Sequence, residues 1–236
     1  MKPVFRFKQF SISDSNCAMK LSSDAVLLGA TAEPGQSKRI LDIGSGCGIL
    51  ALMMAQKSKA LVDAIEIDKP AAHQAAENFS RSKWAERLNI HHTSIQHYTE
   101  SCRLKYDCII CNPPYFQGQL TGPDDRKNQA KHDTGLNVEE LGICVKKLLS
   151  ESGTFWVIIP ASEKNNIQKS FLNAGLYGKK LIYIADRPGL HANRIICCFS
   201  SEFAIEAVIA EIFLKNHDGT LSEAYKELTG DFYLHL

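Results

Sequence analysis

Ile40-Leu41-Asp42-Ile43-Gly44-Ser45-Gly46-Cys47-Gly48, followed by the apolar run Ile49 to Ala55, predicts a strand, a glycine-rich turn and a helix. Glycines in alternate positions tolerate positive φ and let a ligand approach the backbone closely. The helix presents free N–H groups at its amino terminus, where a carboxylate or a phosphate can bind. The segment therefore predicts an α/β fold with a nucleotide-like cofactor at the turn, with a plain loop as the alternative for a lone glycine cluster.

The spacing of the turn and its acidic neighbours favour S-adenosylmethionine as that cofactor. The turn has the spacing G-x-G-x-G, whereas dinucleotide-binding turns have G-x-G-x-x-G. Asp42 can meet the positively charged end of the methionine moiety, but it would repel a pyrophosphate. Glu66 ends the next predicted strand about 20 residues beyond the glycines, where an acidic side chain typically binds ribose hydroxyls. Asp68 lies on the same side of an extended chain and is the competing candidate.

A second motif, Asn112-Pro113-Pro114-Tyr115, follows the apolar run 106–111 and suits methylation of a planar nitrogen. An amino nitrogen conjugated to a purine ring or a carbonyl is a poor nucleophile because its lone pair is delocalised. The side-chain oxygen of Asn112 and the carbonyl of Pro113 can each accept a hydrogen bond from an N–H group of this nitrogen and draw the nitrogen toward sp³ geometry. Two prolines stiffen the turn, and Tyr115 offers a face for stacking. For the tetrapeptide alone, an ordinary strand-ending turn is the alternative.

The order of the apolar segments predicts a Rossmann-like α/β fold, with a mostly parallel sheet and helices on both faces. Strands are expected near 39–43, 61–67, 88–92, 106–111 and 153–159, and helices near 48–57, 69–82, 138–150 and 162–173. The apolar runs 178–184 and 194–200 predict a C-terminal antiparallel hairpin at the sheet edge. We interpret 1–236 as one domain, with an N-terminal extension over 1–38 and a catalytic core over 39–236. Because ligands bind beyond the carboxyl ends of such strands, the two motifs should converge.

Length and composition limit the number of domains, the cellular location and the kinds of site that are expected. The 236 residues fit one domain, and the absence of a membrane-length apolar run or a signal peptide predicts a cytoplasmic protein without membrane association. The eight cysteines form no compact disulfide framework and are interpreted as reduced, mostly buried thiols. Cys108 and Cys111 have zinc-like spacing, but no second pair completes a site, so no metal is expected. The sequence leaves the oligomeric state open, with a monomer as the expectation.

A net charge of +1 requires any nucleic-acid contact to come from local patches. Arg6 and Lys8 alternate with aromatic residues in an N-terminal segment without acids, which predicts either RNA contacts or an edge strand with solvated charges. The long segment 116–137 follows the second motif and is well placed to hold substrate. Its basic residues have aspartates nearby, so a solvated loop is an equal expectation; they are Arg126, Lys127 and Lys131.

The chain resembles a broad class of enzymes and, within that class, one narrower family. It is similar to the class I S-adenosylmethionine-dependent methyltransferases that modify exocyclic or amide nitrogens, in the segments 40–48, 65–68 and 112–115. It also resembles the bacterial tRNA1(Val) (adenine-37-N6)-methyltransferase family in 5–10, 19–30 and 231–234, and the likeness covers nearly the whole chain. The resemblance implies N6-methylation of a tRNA adenine, at position 37 of the anticodon loop of tRNA1(Val).

The motifs and the resemblance together give three sets of site residues. The cofactor set is Lys20, Asp24, Asp42, Gly44, Ser45, Gly46, Gly48, Glu66, Ile67, Ser94 and Asn112. The catalytic set is Asn112, Pro113, Pro114 and Tyr115, and the tRNA set is Arg6, Lys8, Tyr115, Arg126, Lys127 and Lys131. Ser94 stands where relatives often place an Asp that receives the adenine amino group of the cofactor, and its hydroxyl can still accept that hydrogen bond.

Other activities remain open from sequence. Glutamine N5-methyltransferases of release factors share the second motif, but they carry a helical domain ahead of the glycine turn, and only 39 residues precede Ile40 here. Guanine-N2 ribosomal RNA methyltransferases tend to be larger, and DNA adenine methyltransferases usually need a target-recognition region. A non-catalytic cofactor-binding or RNA-binding module is the alternative of a different class, which methyl transfer from labelled cofactor would exclude.

Overall fold

The computed structural model describes residues 4–113, 137–203 and 205–235. Two short strands near the amino terminus, β1 (Phe5–Arg6) and β2 (Ser11–Ile12), form an antiparallel hairpin. A large sheet contains β3 (Arg39–Ile43), β4 (Leu61–Glu66), β5 (Leu88–His92), β6 (Tyr106–Cys111), β7 (Leu149–Pro160), β8 (Tyr177–Ala185), β9 (Arg194–Ser200) and β10 (Val208–Phe213).

Helices cover both faces of this sheet, as predicted. They are α1 (Ser23–Thr31), α2 (Ile49–Lys57), α3 (Lys69–Ser80), α4 (Ile95–Ser101), α5 (Val138–Leu148), α6 (Lys164–Asn173) and α7 (Glu223–Thr229). Alternate residues of β3 point to opposite faces. Ile40 therefore packs in a core with α1, α2 and α3, whereas Leu41 and Ile43 pack in a core with α4, α5 and α6. No helix in the described ranges is long and apolar enough to cross a membrane.

The strand order creates the switch point that brings the two motifs together. The order is β10-β8-β9-β7-β6-β3-β4-β5, and β9 is antiparallel to both of its neighbours. From β3 the chain builds one half of the sheet through β4 and β5, and it then returns to build the other half from β6. Ile43 pairs with Cys111 at the carboxyl ends of β3 and β6. The turns that begin at Gly44 and Asn112 therefore leave adjacent strands side by side.

The predicted C-terminal hairpin is confirmed, but its predicted position at the sheet edge is wrong. β8 and β9 pair antiparallel, and β9 lies between β7 and β8. β10 then pairs parallel to β8 and forms the edge. The segment 205–213 contains alanine and glutamate, which favour helices, so its composition gives no clear strand signal.

The N-terminal extension packs against the end of the chain. Phe7 forms a bridge with Tyr233, and the backbone N–H of Lys8 donates to the carbonyl of Phe232 at 2.8 Å. The rings of Phe7 and Phe10 stack at 4.7 Å, and both are buried. Phe7 is thus part of the apolar core, but Phe5 is 44% exposed, so the buried face that the period-two pattern predicts for the N-terminal strand is not formed along its length.

A buried polar network around Asp63 joins β4, β5 and β6. The Tyr106 hydroxyl donates to one carboxylate oxygen at 2.9 Å and lies 2.5 Å from the Tyr98 hydroxyl, and the side-chain amide of Asn89 donates to the other oxygen at 3.2 Å. Burial raises the pKa of Asp63, but hydrogen bonds from His91, Tyr106 and Asn89 outweigh it and lower the pKa below its ordinary value. The charged carboxylate is therefore the form that this network stabilises.

We expect Tyr106→Phe to weaken the protein most at pH values where the Asp63 carboxylate is charged, and less as pH falls through the folded-state pKa of Asp63. Because the folded-state pKa of Asp63 is depressed, its contribution to stability is present above the unfolded pKa of about 4 and is lost as pH falls through the folded value. Removing the Tyr106 hydroxyl raises that folded pKa, so the acid-unfolding midpoint should move to higher pH. The free energy of unfolding should also fall by about 1–3 kcal/mol near neutral pH.

Urea unfolding between pH 3 and 7 measures both effects. Tyr183→Phe is the matched control because Tyr183 lies on β8, outside the network. Equal acid midpoints for the Tyr106→Phe and wild-type proteins would contradict the role assigned to the network.

Candidate active site

The glycine turn after β3 forms a backbone cradle. Gly44, Gly46 and Gly48 have φ values of 71°, 54° and 87°, which favour glycine. The N–H groups of Gly44 and Ser45 donate to the carbonyl of Ile65 at 2.9 and 3.0 Å, which fixes the turn against β4. A Cβ at Gly44 or Gly46 would meet nothing within 4 Å, so both face open space. A Cβ at Gly48 would lie 2.4 Å from the Phe79 ring, so this third glycine is required by packing.

Glu66 is oriented toward the same cradle. Its two carboxylate oxygens accept hydrogen bonds from the N–H groups of Gly46 and Asp68, each at 2.8 Å. Each oxygen retains a lone pair for a further donor such as a ribose hydroxyl. The Asp68 carboxylate instead caps α3, accepting from Ala71 N–H at 3.0 Å. These bonds favour Glu66 over Asp68 as the ribose ligand, and the exposed Ile67 lies between them.

Asp42 and Ser45 leave polar atoms unsatisfied beneath the turn. One oxygen of the buried Asp42 carboxylate accepts from Ala51 N–H at 3.0 Å, whereas the other oxygen and the Ser45 hydroxyl have no partner among the described residues. Burial, with a smaller contribution from the charge of Glu66, raises the pKa of Asp42 to about 7, despite the opposing bond from Ala51. A cationic group there would favour the carboxylate. These orphaned atoms fit the charged methionine end of S-adenosylmethionine.

The second motif begins beside this cradle. Asn112 is half-buried and Pro113 is buried, directly after the paired end of β6. The predicted catalytic residues Pro114 and Tyr115 lie outside the described residues. The described half of the motif thus begins next to the cofactor turn, directly after the end of the neighbouring strand.

Three other predicted cofactor residues have protein partners in the structure. The Lys20 ammonium donates to the carbonyl of Asp14 at 2.8 Å, and Asp24 pairs with Arg194 of β9 at 2.8 Å. The Ser94 hydroxyl caps α4 by accepting from His97 N–H at 3.2 Å. A hydroxyl oxygen has a second lone pair, so Ser94 can still accept an adenine amino group.

Comparison with known proteins decides the family. Residues 17–173 match the family model of the methyltransferase small domain. A Bacteroides fragilis protein named tRNA1(Val) (adenine(37)-N6)-methyltransferase is 40% identical over 237 residues, covering 99% of this chain and 98% of its own. A protein of the same name from Erwinia tasmaniensis is 38% identical, covering 98% of this chain and 94% of its own. This chain belongs to the tRNA1(Val) (adenine(37)-N6)-methyltransferase family.

A solved structure supports the fold of this family member. A predicted O-methyltransferase from Agrobacterium tumefaciens, protein Atu636, matches with a TM-score of 0.65 at 17% identity, over 88% of this chain and 96% of that one. At that identity the match concerns the fold alone. Family and fold together confirm the predicted Rossmann-like class I methyltransferase and its cofactor, S-adenosylmethionine.

The structure describes only two of the residues that are predicted to bind tRNA, Arg6 and Lys8. Arg6 is exposed on β1, and the Lys8 ammonium donates to the carbonyl of Gly230 at 2.5 Å. Lys8 therefore fixes the hairpin to the end of α7 while its side chain stays exposed. The other three basic residues lie outside the described residues: Arg126, Lys127 and Lys131.

The structure agrees with the interpretation of the cysteines as reduced, mostly buried thiols. All eight cysteines are free, and seven are buried. Burial raises the pKa of Cys108 to about 12, so this thiol stays protonated at neutral pH. Within the part of the chain that the structure describes, no group of three or more His, Cys, Asp and Glu side chains could hold a metal ion.

Asn78 is a positioning residue that sequence reasoning missed. Its buried side-chain amide donates to the carbonyls of Ser13 and Cys47, both at 2.8 Å, and its oxygen accepts from Ser13 N–H at 3.0 Å. It thereby joins the N-terminal segment to the glycine turn. The available signal was an amide on the face of α3 that otherwise carries Ala71, Ala75 and Phe79, since a buried amide needs partners.

We expect Asn78→Ala to loosen the N-terminal segment before the rest of the fold. Three hydrogen bonds are lost and backbone groups of Ser13 and Cys47 are left without this partner, so the free energy of unfolding should fall by about 2–4 kcal/mol. Amide exchange should accelerate over residues 11–21 and 44–48. Asn166→Ala, on the exposed face of α6, is the matched control. Unchanged exchange in those segments would contradict the linking role.

Proposed function

We propose that this chain transfers a methyl group from S-adenosylmethionine to N6 of adenine 37 in tRNA1(Val). The observation that best supports this proposal is the pairing of Ile43 with Cys111, which sets the glycine turn beside Asn112. Both relatives named for this reaction align over nearly their whole length, which supports the same substrate.

The cofactor would bind along the carboxyl ends of β3 and β4. Asp42 would meet its ammonium group, the open backbone at Gly44 and Gly46 would contact it closely, Glu66 would accept from its ribose, and Ser94 would accept from its adenine. The Asp42 pKa of about 7 means that binding of a cation at this carboxylate is coupled to proton release. When bound, S-adenosylmethionine supplies a methyl group on an electrophilic sulfonium.

The chain's own contribution to the reaction is positioning and polarisation. The Asn112 side-chain oxygen and the Pro113 carbonyl accept the two N–H bonds of the adenine amino group, which localises its lone pair. Correct placement of two reactants can be worth about 7–11 kcal/mol, so no nucleophilic side chain is required. The proton can leave after methyl transfer, which removes the need for a dedicated general base. Adenine must leave its stack to reach this site, and stacking on Tyr115 can return about 1–3 kcal/mol.

One experiment tests both which macromolecule is methylated and which atom receives the methyl group. The protein is incubated with methyl-labelled cofactor and total RNA from cells that lack this modification, and the nucleosides are separated. We expect label only in N6-methyladenosine, and in an oligonucleotide that contains adenine 37 of tRNA1(Val). Label in another nucleoside, or in a glutamine amide when release factor is supplied instead, would overturn the proposal.

A further inference from the structure

A polar cavity lies beside the cofactor turn, between the N-terminal hairpin and the end of α3. Its volume is about 340 Å³, and its lining includes Lys8, Gln9, Ser11, Ser13 and Arg81. No acidic side chain is among the described residues that line it. Beside the apolar side chains of Val4, Phe7 and Phe10, the cavity therefore presents cations and neutral hydrogen-bonding groups, a combination that suits an anion.

The arginine at this cavity is available for a further partner. Arg81 follows the last residue of α3, and its side chain is 66% exposed. Its ion partner, Glu77, is 3.8 Å away and also lies 3.4 Å from His73. An exposed pair at that separation is weak, so the planar guanidinium can turn toward an incoming phosphate.

A second cation is fixed at the rim. The Lys83 ammonium donates to the Gln9 side-chain oxygen at 2.7 Å and lies 5.1 Å from the centre of the Trp84 ring. Trp84 in turn meets the Phe10 ring at 6.0 Å. Lys83 is thus held against the hairpin by polar and aromatic contacts, while its charge remains exposed.

The cavity is one side chain away from the cofactor turn. Asn78 lines the cavity, and its amide donates to the carbonyl of Cys47 inside the turn. An RNA that places one base at Asn112 is far larger than a single nucleotide, so its backbone extends over the surrounding surface. Phosphates are the groups that such surfaces bind to set position, mainly through Arg and Lys.

We propose that this cavity is a subsite for a backbone phosphate of the RNA substrate, with Arg81 and Lys8 as its charged ligands and Lys83 at its rim. The inference rests on the proposed function, because it assumes that RNA approaches the cofactor turn. Ser11 and Gln9 supply neutral donors beside the charged groups. The subsite sets the position of the RNA and takes no part in the chemistry at Asn112.

The test uses Arg81→Ala, because Lys8 and Lys83 also fix the hairpin and their loss would mix two effects. Binding of the unmodified tRNA is measured from about 50 to 200 mM salt. We expect the Kd to rise about 3- to 10-fold at low salt, with the log–log salt slope reduced by about one contact. The KM for tRNA should rise by the same factor, while kcat and the Kd for S-adenosylmethionine stay unchanged.

Two further variants sharpen the result. Arg81→Lys keeps the charge and should retain most of the affinity. Arg103→Ala is the matched control, since Arg103 is an exposed arginine in the connection that leads into β6, at the opposite end of the strands from the cofactor turn. An unchanged tRNA Kd, KM and salt slope in Arg81→Ala would overturn the subsite, as would an equal effect of Arg103→Ala.

Failure of the subsite can be told apart from failure of the proposed function. If wild-type protein methylates the tRNA and Arg81→Ala does so with the same KM, the subsite alone is wrong. If wild-type protein methylates no tRNA but binds it with an Arg81-dependent salt slope, the phosphate subsite stands and the proposed function is wrong.

Discussion

Asn112→Ala is expected to reduce kcat by about 10²- to 10³-fold, which is the effect of deleting one oriented polar group that acts on the transition state. The side-chain oxygen of Asn112 matters most as the amine becomes tetrahedral, so its loss should affect turnover far more than ground-state binding. The Kd for S-adenosylmethionine should change little. Single-turnover methylation of the unmodified tRNA measures the chemical step, and calorimetry measures cofactor binding.

The controls for this variant separate catalysis from folding. Asn166→Ala removes an equivalent amide from an exposed position on α6 and should leave turnover unchanged. Asn112 is half-buried at the end of β6, so a melting curve establishes that the variant remains folded. Wild-type turnover in folded Asn112→Ala would show that this motif is not the catalytic site.

Substitutions at Tyr115 should give a different pattern, because this residue is proposed to stack on the base. Tyr115→Phe keeps the aromatic face and should retain much of the activity. Tyr115→Ala should lose substrate positioning, with a higher KM as well as a lower kcat. Loss of activity in Tyr115→Phe equal to that in Tyr115→Ala would assign the role to the hydroxyl instead.

The central half of the fold was predictable because its signals are local. The strand at 39–43, the glycines after it and the apolar run at 106–111 each identify one element, and the rules of parallel sheets bring their ends together. The pairing of Ile43 with Cys111 follows from that logic. The same rules bring Asp42 of β3 and Glu66 of β4 to this end of the sheet.

The contacts that complete the site could not be read from local pattern, because they join distant parts of the chain. Arg194 reaches Asp24 across 170 positions, and Lys8 reaches Gly230 across 222. Neither partner follows from periodicity or charge spacing within a segment. Edge strand β10 was missed for a different reason. Its consecutive apolar residues Val208 and Ile209 are both exposed, at 63% and 69%, so the strand has no alternation of buried apolar and exposed polar residues that a period-two pattern could reveal.

Glu66→Ala is expected to weaken S-adenosylmethionine binding about 10²-fold. Its carboxylate would give up charge-assisted bonds to the ribose, each worth about 1.5–3 kcal/mol, and would also release the Gly46 N–H that shapes the cradle. Asp68→Ala is the matched control, because its carboxylate caps α3 through Ala71. That variant should cost about 1 kcal/mol of stability and leave cofactor affinity near the wild-type value. Calorimetry on both folded variants decides the matter: normal affinity in Glu66→Ala with weakened affinity in Asp68→Ala would move the ribose contact to Asp68.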